Sequence, residues 1–381
     1  RKRDESEDLP CVRNFYLRRM GRMMERIRIF TYLLLTVGWC TACMDYGPLD
    51  EETIDFPPGS PRVYVVNEGS FMYGTASLSC YLPQEGRMEN EVFARINGIP
   101  LGDVAQSAVV RGNSLWVVVN NSGVVFALDR ETCRLRGAIR GLTSPRYMHF
   151  VNDEKAYVTD LYARAVTVVN PRTYEITGRI PVSSGEPDSR RHPTEQMAAY
   201  GKYLFVGCWS YDSKLLVLDT ERDALVDSVE VGKQPNSLGI DRYGKVWTIT
   251  DGGYRNETAG TETPALWRID AATRRVEKTF PFRLGEHPSE LCLNASGDTL
   301  CFINGGIWKM GVKDEALPEQ PLIPDRGTIF YGLGVCPRTS EIYVADAVDY
   351  VQRGVLYRFS AGGEPLDTVR TGVIPGAFCF D

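Results

Sequence analysis

The stretch QPNSLGIDRYGKVWTITDGG, Gln234 to Gly253, decides the fold of this chain. A short apolar run follows Pro235 and leads into a polar turn around Asp241 and Gly244. A second run, Lys245 to Thr250, is rich in β-branched residues and ends at Asp-Gly-Gly. Two β-rich runs separated by a turn of this composition predict a β-hairpin.

This hairpin recurs along the chain. HPSELCLNASGDTLCFINGG, His287 to Gly306, repeats it almost position for position, and looser copies cover His192 to Ser210 and Ser144 to Tyr162. A second signature is a polar turn led by Asp or Asn, found at Asp129, Asn170, Asp219 and Asp270. Units begin near Val104, Pro145, Pro193, Pro235, Pro288 and Phe330, at steps of 41 to 53 residues. Four short strands per step predict the blades of a β-propeller.

The two ends of the repeat region complete one another. Arg62 to Asn67, Ser77 to Leu82 and Glu91 to Ile96 are expected to be three strands of a unit that lacks its first strand. The tail Ile374 to Asp381 offers a first strand with nothing after it. The sequence therefore predicts an all-β, seven-bladed propeller of four-stranded antiparallel blades. Its C-terminal strand closes the ring by joining the N-terminal blade, which leaves no open edge.

The first 42 residues differ from the rest. A basic segment precedes the apolar run Phe30 to Trp39, which is too short to span a membrane and predicts a secretory signal. Met20, Met23 and Met24 are alternative starts. The predicted organisation is a signal peptide over 1–42, an acidic tether over 43–56 and a single propeller over 57–381. A redox or metal role for the Cys40/Cys43 pair is the alternative.

Charge and cysteine content limit the function. The chain without residues 1–42 has a net charge of −10, which argues against nucleic acid as a partner. Seven cysteines follow Cys43, mostly in apolar strand-like runs typical of buried thiols. Cys292 and Cys301 should face one another across their hairpin, so that a disulfide between them is possible.

The predicted functional face combines two sets of loops. In a propeller, the loops before the innermost strands and the loops between second and third strands meet at one face, called here the upper face. Aromatic and amide side chains suit a large amphipathic ligand. The predicted ligand-binding residues are Asn67, Phe71, Tyr73, Gln106, Asn120, Tyr147, Asp160, Tyr162, Glu195, Gln196, Trp209, Tyr211, Asn236, Asp251, Tyr254, Glu290, Asn304, Tyr331, Asp346 and Tyr350.

Signals of catalysis are few. No catalytic motif of the common hydrolase, zinc-protease, nucleotide-binding or haem-attachment type occurs. His192 and His287 share one repeat position before proline, which favours a turn role over a metal pair. An alternative is that five carboxylates meet as a calcium, lactonase-type or glycosidase site; they are Glu195, Glu290, Asp160, Asp251 and Asp346. We expect no catalytic residue, no bound metal and no cofactor.

Several short phrases resemble a known family. The phrases are NEGSF, VVNNSG, VTDLY, HPTEQM, VGCWS, QPNSLGID, LWRID and YVADAVDY, spread over residues 57–381. With Thr41-Ala42-Cys43, which resembles a lipobox, they are similar to the YncE-like propeller lipoproteins of Bacteroidetes. Among these the chain looks most like the BtuG type, surface proteins that bind cobalamin for a TonB-dependent transporter.

The resemblance implies a function and a location. It implies lipidation at Cys43, an outer-membrane anchor with the propeller at the cell surface, and binding of cobalamin or a related corrinoid as cargo; a propeller that faces the periplasm is the alternative orientation. It also implies delivery of that cargo to a TonB-dependent outer-membrane transporter. Two alternatives from other classes stay open: a metal-dependent lactonase-like or other propeller hydrolase, and a protein-interaction scaffold.

Overall fold

Seven antiparallel sheets form the computed structural model, which describes residues 54, 56–183, 192–253 and 260–381. We number the sheets as blades and write each from its innermost strand outwards. Blade 1 contains β27 (Pro375–Phe380), β1 (Val63–Asn67), β2 (Ser77–Leu82) and β3 (Arg87–Glu89). Blade 2 contains β4 (Ala105–Arg111), β5 (Ser114–Val119), β6 (Val124–Asp129) and β7 (Leu135–Arg140). Blade 3 contains β8 (Pro145–Phe150), β9 (Ala156–Asp160), β10 (Ala165–Asn170) and β11 (Glu175–Pro181).

The remaining blades follow the same order. Blade 4 contains β12 (Thr194–Tyr200), β13 (Tyr203–Cys208), β14 (Lys214–Asp219) and β15 (Ala224–Glu230). Blade 5 contains β16 (Pro235–Ile240), β17 (Lys245–Thr250), β18 (Ala265–Asp270) and β19 (Arg275–Pro281). Blade 6 contains β20 (Ser289–Leu293), β21 (Thr299–Ile303) and β22 (Ile307–Gly311). Blade 7 contains β23 (Phe330–Val335), β24 (Ile342–Asp346), β25 (Arg353–Phe359) and β26 (Pro365–Val373).

The predicted propeller is confirmed, including its closure. The hairpin in the opening stretch is β16 paired antiparallel with β17. The C-terminal β27 pairs with β1, so the last strand of the chain is the innermost strand of the blade that the N-terminal strands build. Blade 6 differs in its outer position, where a single bridge between Ile323 and Ile307 replaces a full fourth strand.

One predicted strand is wrong. Glu91 to Ile96 is not a strand: the outer strand of blade 1 is β3, and Val92–Asn97 forms the short helix α1. Val92 and Phe93 are buried, and Ile96 packs on the same core. This spacing puts all three side chains on one helical face. Gly98, with a φ of 67°, ends the helix in the left-handed region that glycine adopts without strain.

The hydrophobic cores lie between neighbouring blades. Along β5, Leu115 and Val117 pack with Leu78 of blade 1, whereas Trp116 and Val118 pack in a second cluster with blade 3. Alternate residues of a strand point to opposite faces of the sheet, so each blade contributes to two cores. This is why the second strands of the blades are apolar on both faces.

The cysteines of the described residues are free thiols. Cys292 and Cys301 are direct register partners, as the hairpin predicts, but they form no disulfide. Cys292 instead places its Sγ 3.3 Å from the carbonyl oxygen of Leu333. The predicted signal, Cys43 and most of the tether lie outside the described residues. Within the described part of the chain, no helix is long and apolar enough to cross a membrane.

Candidate functional site

A β-bulge at the start of every innermost strand builds the centre of the site. In blade 5, Pro235 pairs with Thr250 and Ser237 with Ile249, so that Asn236 between them has no partner across the ladder. The same irregularity occurs in all seven blades, and a bulge turns the unpaired side chain out of the regular alternation. The residues at these bulges are Gln106, Arg146, Tyr147, Glu195, Gln196, Asn236, Glu290, Leu291, Tyr331 and Gly376.

Bulged residues from every blade line a central cavity of about 290 Å³. The seven innermost strands contact one another in a closed ring, and each contributes to the lining. Three residues from upper-face loops, Glu68, Trp209 and Asp251, complete the wall. The remaining lining residues are Gln106, Arg146, Tyr147, Glu195, Asn236, Ser289, Glu290, Phe330, Tyr331 and Gly376.

A partly buried arginine, Arg146, organises one side of this cavity. Nε of Arg146 lies 2.7 Å from Oε1 of Glu195, and its Nη1 donates a hydrogen bond to the side-chain oxygen of Gln106. The guanidinium also lies over the Trp209 ring, 6.0 Å from its centroid. The Arg146 cation therefore joins its own blade 3 to Gln106 of blade 2 and Glu195 of blade 4. It also contacts Trp209 in the β13–β14 loop.

Three glutamates compete for this one cation. Glu68 accepts a hydrogen bond of 2.9 Å from the hydroxyl of Tyr331, and burial raises the pKa of Glu68. Burial also raises the pKa of Glu195 against the opposing effect of Arg146. Burial, together with the charges of the other two glutamates, raises the pKa of Glu290 to about 8. This pKa favours the protonated, neutral form of Glu290 at pH 7, which is able to donate a hydrogen bond.

The raised pKa predicts a pH-dependent stability. Between about pH 4.5 and 8 folded Glu290 keeps a proton that the unfolded chain has lost, so wild-type stability falls as the pH rises. Each pKa unit corresponds to about 1.4 kcal/mol, and we expect Glu290→Gln to exceed wild type by about 3 kcal/mol at pH 8. The two should differ little at pH 5. Urea unfolding at both pH values measures this, and a constant difference would contradict it.

The control for this measurement is Glu131→Gln. Glu131 is an exposed glutamate in the turn after β6, so its substitution should leave the pH profile of the free energy of unfolding unchanged. If both variants shift the profile alike, the effect reflects net charge rather than the cavity.

Apolar side chains on the upper face surround the cavity. Among described residues, all large apolar side chains more than half exposed lie in upper-face loops, with exposures of 60–79%. They are Phe71, Met72, Tyr73, Tyr162, Tyr211, Leu284 and Val351. Tyr350, also exposed, packs its ring edge-on against Tyr331 with centroids 5.7 Å apart, which connects this outer layer with the cavity wall. Exposed apolar clusters of this kind mark interaction surfaces.

Several predicted ligand-binding residues hold the fold together instead. Asn67 is fully buried and donates to Ser79 Oγ at 2.9 Å while accepting from Thr371 and Gly372. Asn120 donates to Ser144 Oγ and to the carbonyl of Pro145 in the next blade. These amides satisfy buried backbone and hydroxyl groups, so they are not open to a ligand.

Only three of the five carboxylates predicted for the alternative metal or hydrolase site line the central cavity. Glu195, Glu290 and Asp251 line the central cavity. Asp160 accepts hydrogen bonds from the backbone of Thr143 and Ser144, and Asp346 accepts one from Ile329. Asp160 and Asp346 therefore cap loops and do not line the cavity.

The other predicted residues are distributed as follows. Gln196 accepts from the backbone of Leu238 and lies 3.4 Å from the Tyr147 hydroxyl. Asn236 donates to the carbonyl of Pro288. Asn304 lines a separate hollow of about 620 Å³ beside blades 5 and 6. Tyr254 lies outside the described residues.

Two central residues escaped the sequence prediction of the site. Arg146 is at the same bulge as Tyr147, and Glu68 is next to Asn67, but only the aromatic or amide neighbour was predicted to bind a ligand. The strand register places Arg146 at the same bulge position as Glu195 and Glu290. The proline-led repeat of the sequence aligns Arg146 with Thr194 and Ser289 instead, so the sequence alone carried no signal of this ion pair.

Seven antiparallel blades around a central cavity define the protein as a seven-bladed β-propeller. The chain belongs to the DUF5074 family, a domain of unknown function, whose model matches residues 62–372. No curated protein matches the sequence.

Solved structures share the fold at low sequence identity. A quinonprotein alcohol dehydrogenase-like protein from Bacteroides thetaiotaomicron VPI-5482 is 15% identical, with a TM-score of 0.63 over 84% of this chain and 78% of its own. Hydrazine synthase from Kuenenia stuttgartiensis is 16% identical, with a TM-score of 0.55 over 72% and 89%. Dihydro-heme d1 dehydrogenase NirN, in complex with DHE, is 11% identical, with a TM-score of 0.58 over 85% and 76%. Identities of this size show a common fold alone.

Proposed function

We propose that this protein is a non-enzymatic binding protein that captures cobalamin or a related corrinoid on its upper face. The observation that carries the proposal is the concentration of exposed aromatic and aliphatic side chains around the cavity. A corrinoid has a broad, largely apolar macrocycle, and amide side chains extend from the edge of that ring. It therefore matches a surface on which Tyr73 and Tyr211 offer flat apolar area with a polar tip.

The polar groups in the cavity complement such a ligand. Gln106, Asn236 and Ser289 are neutral side chains in the lining, suited to bind amides. The protonated Glu290 adds a donor. Arg146 and Glu195 largely neutralise each other, so their pair does not demand a charged ligand.

The location and the partner are parts of the same proposal. Lipidation at Cys43 would anchor the propeller to the outer membrane at the cell surface, where cargo passes to a TonB-dependent transporter. This step is supported by the resemblance of the sequence to surface lipoproteins. Incorporation of labelled palmitate that is lost in Cys43→Ala tests the anchor.

Binding is tested by calorimetry with cyanocobalamin. We expect wild type to bind, and the double variant Tyr73→Ala/Tyr211→Ala to bind at least about tenfold more weakly, equivalent to about 1.4 kcal/mol. The reason is that aromatic side chains contribute most of the contact area at such surfaces.

The matched control is Tyr243→Ala. Tyr243 is also exposed, but it lies in the β16–β17 turn at the opposite face. Its substitution should leave the affinity unchanged. Absence of heat with wild type, or equal losses in control and double variant, would overturn corrinoid binding at this face.

A second candidate is a hydrolase. The observation in its favour is a protonated carboxyl, Glu290, in the same cavity as the carboxylate of Glu195 that Arg146 holds. Carboxyl groups with different pKa values are the components of general acid–base catalysis. Turnover of a lactone panel, with and without added divalent metal, that is lost in Glu290→Gln and Glu195→Gln would support an enzyme. Lack of turnover would count against it.

A further inference from the structure

Three different metal-ligating side chains converge at the upper end of blade 4. His192 precedes β12, Cys208 is the last residue of β13, and Asp212 lies in the following loop. One ligand atom from each lies within 4.8 Å of the others. Nδ1 of His192 is 2.6 Å from Oδ2 of Asp212. Cys208 and Asp212 are buried, and His192 keeps a narrow exposed edge.

Two other blades show what the register position of Cys208 does when an aspartate occupies it. The last residue of the second strand is Asp160 in blade 3 and Asp346 in blade 7, where each carboxylate binds backbone N–H groups of the segment before the innermost strand. Cys208 occupies this register position in blade 4, opposite Thr194. A thiol is a weak hydrogen-bond acceptor and does not replace that capping role. The capping role of Asp160 and Asp346 therefore does not explain Cys208.

We propose that His192, Cys208 and Asp212 bind a divalent transition metal ion, with Zn²⁺ as the best match. Imidazole, thiolate and carboxylate are the ligand types of protein zinc sites. The mixture of sulfur, nitrogen and oxygen ligands disfavours Mg²⁺ and Ca²⁺, which prefer oxygen alone. Three protein ligands leave the fourth tetrahedral position for a water molecule or a ligand atom.

Metal binding at this site exchanges protons for the ion. The Cys208 thiol must lose its proton to become a ligand, and the His192–Asp212 hydrogen bond gives way to two bonds with the metal. A thiol binds a metal ion only as the thiolate, so metal affinity should fall as the pH is lowered.

The site is placed to order part of the upper face. Backbone N–H of Trp209 donates to the carbonyl of Pro193, so the segments that carry the three ligands are already adjacent. A metal ion would fix the β13–β14 loop, which carries Trp209 in the cavity wall and Tyr211 in the exposed layer. The proposal holds whether or not that face binds a corrinoid.

The experiment uses Co²⁺ as a spectroscopic probe on the purified, reduced protein. Thiolate ligation to Co²⁺ produces a charge-transfer band in the near ultraviolet. We expect this band in wild type and its loss in Cys208→Ser. We expect His192→Gln and Asp212→Asn to bind Co²⁺ at least about tenfold more weakly, since even outer-shell partners change metal affinity by 10–100-fold. Competition with Zn²⁺ should remove the band.

The matched control is His287→Gln. His287 has the same repeat position before proline, but blade 6 has Ile303 where blade 4 has Cys208. This variant should keep the band and the wild-type affinity. Circular dichroism checks that each variant is folded, and Asp212→Asn, which keeps the side-chain shape, serves if Cys208→Ser is unstable. A missing band in wild type, a band unchanged in Cys208→Ser, or Co²⁺ affinity unchanged in Asp212→Asn would overturn the proposal.

Discussion

Removal of Ile374–Asp381 should abolish the cooperative unfolding transition of the propeller. These residues include β27, whose loss exposes the edge of β1 and removes one innermost strand from the ring. Phe378 and Phe380 pack against Tyr343, and Cys379 joins the core between blades 1 and 2. Burial of each such side chain contributes about 1.5–3 kcal/mol. The sum approaches the 5–15 kcal/mol that typically stabilises a whole domain.

Thermal unfolding followed by circular dichroism measures this effect. The control is deletion of Asp381 alone, which removes a backbone hydrogen bond to Arg62 and an ion pair with Arg130 but leaves β27 intact. That truncation should retain a single transition at a modestly lower Tm. A cooperative transition near the wild-type Tm after the longer deletion would show that ring closure does not depend on β27.

The second large effect concerns Arg146. We expect Arg146→Met to lower the free energy of unfolding by about 3 kcal/mol at pH 8, since removal of one partner leaves a buried charge without compensation. Arg146 pairs with Glu195 and lowers the pKa of Glu68 and of Glu290. Without it these three pKa values rise further. A protonated glutamate carries no charge to be buried, and lower pH favours the protonated form. The stability lost in Arg146→Met should therefore be smaller at pH 5 than at pH 8.

Urea unfolding across this pH range, with two further variants, tests the assignment. Arg111→Met is the control, because Arg111 pairs with Asp153 at 3.1 Å on an exposed surface and should cost less than about 1 kcal/mol. The double variant Arg146→Met/Glu195→Gln should recover part of the loss, because the buried charge is gone. Equal costs for Arg111→Met and Arg146→Met would contradict a central role of this cation.

The sequence predicted the part of the site that depends on repetition. Unit starts equivalent to Pro235 occur in every blade, and a ring of repeats brings equivalent positions to one axis. The alignment therefore predicted that Gln106, Glu195 and Glu290 share one face without any knowledge of distances. It failed at Glu91 to Ile96, because the apolar residues there fit a helical face as well as a strand.

The sequence by itself determined the seven blades, the closure by the last strand and the positions that face the axis. All of these follow from the alternation of apolar and polar residues along each strand and from the length of the repeat, and both can be read directly from the sequence. Only the tertiary structure decided which polar side chains already have hydrogen-bond partners within the fold. Asn67, for example, accepts hydrogen bonds from Thr371 and Gly372, which lie near the other end of the sequence. It alone decided the raised pKa of Glu290, which results first from burial and then from the carboxylates of Glu68 and Glu195. It also brought His192 and Asp212 into contact, since that distance depends on the packing of a loop.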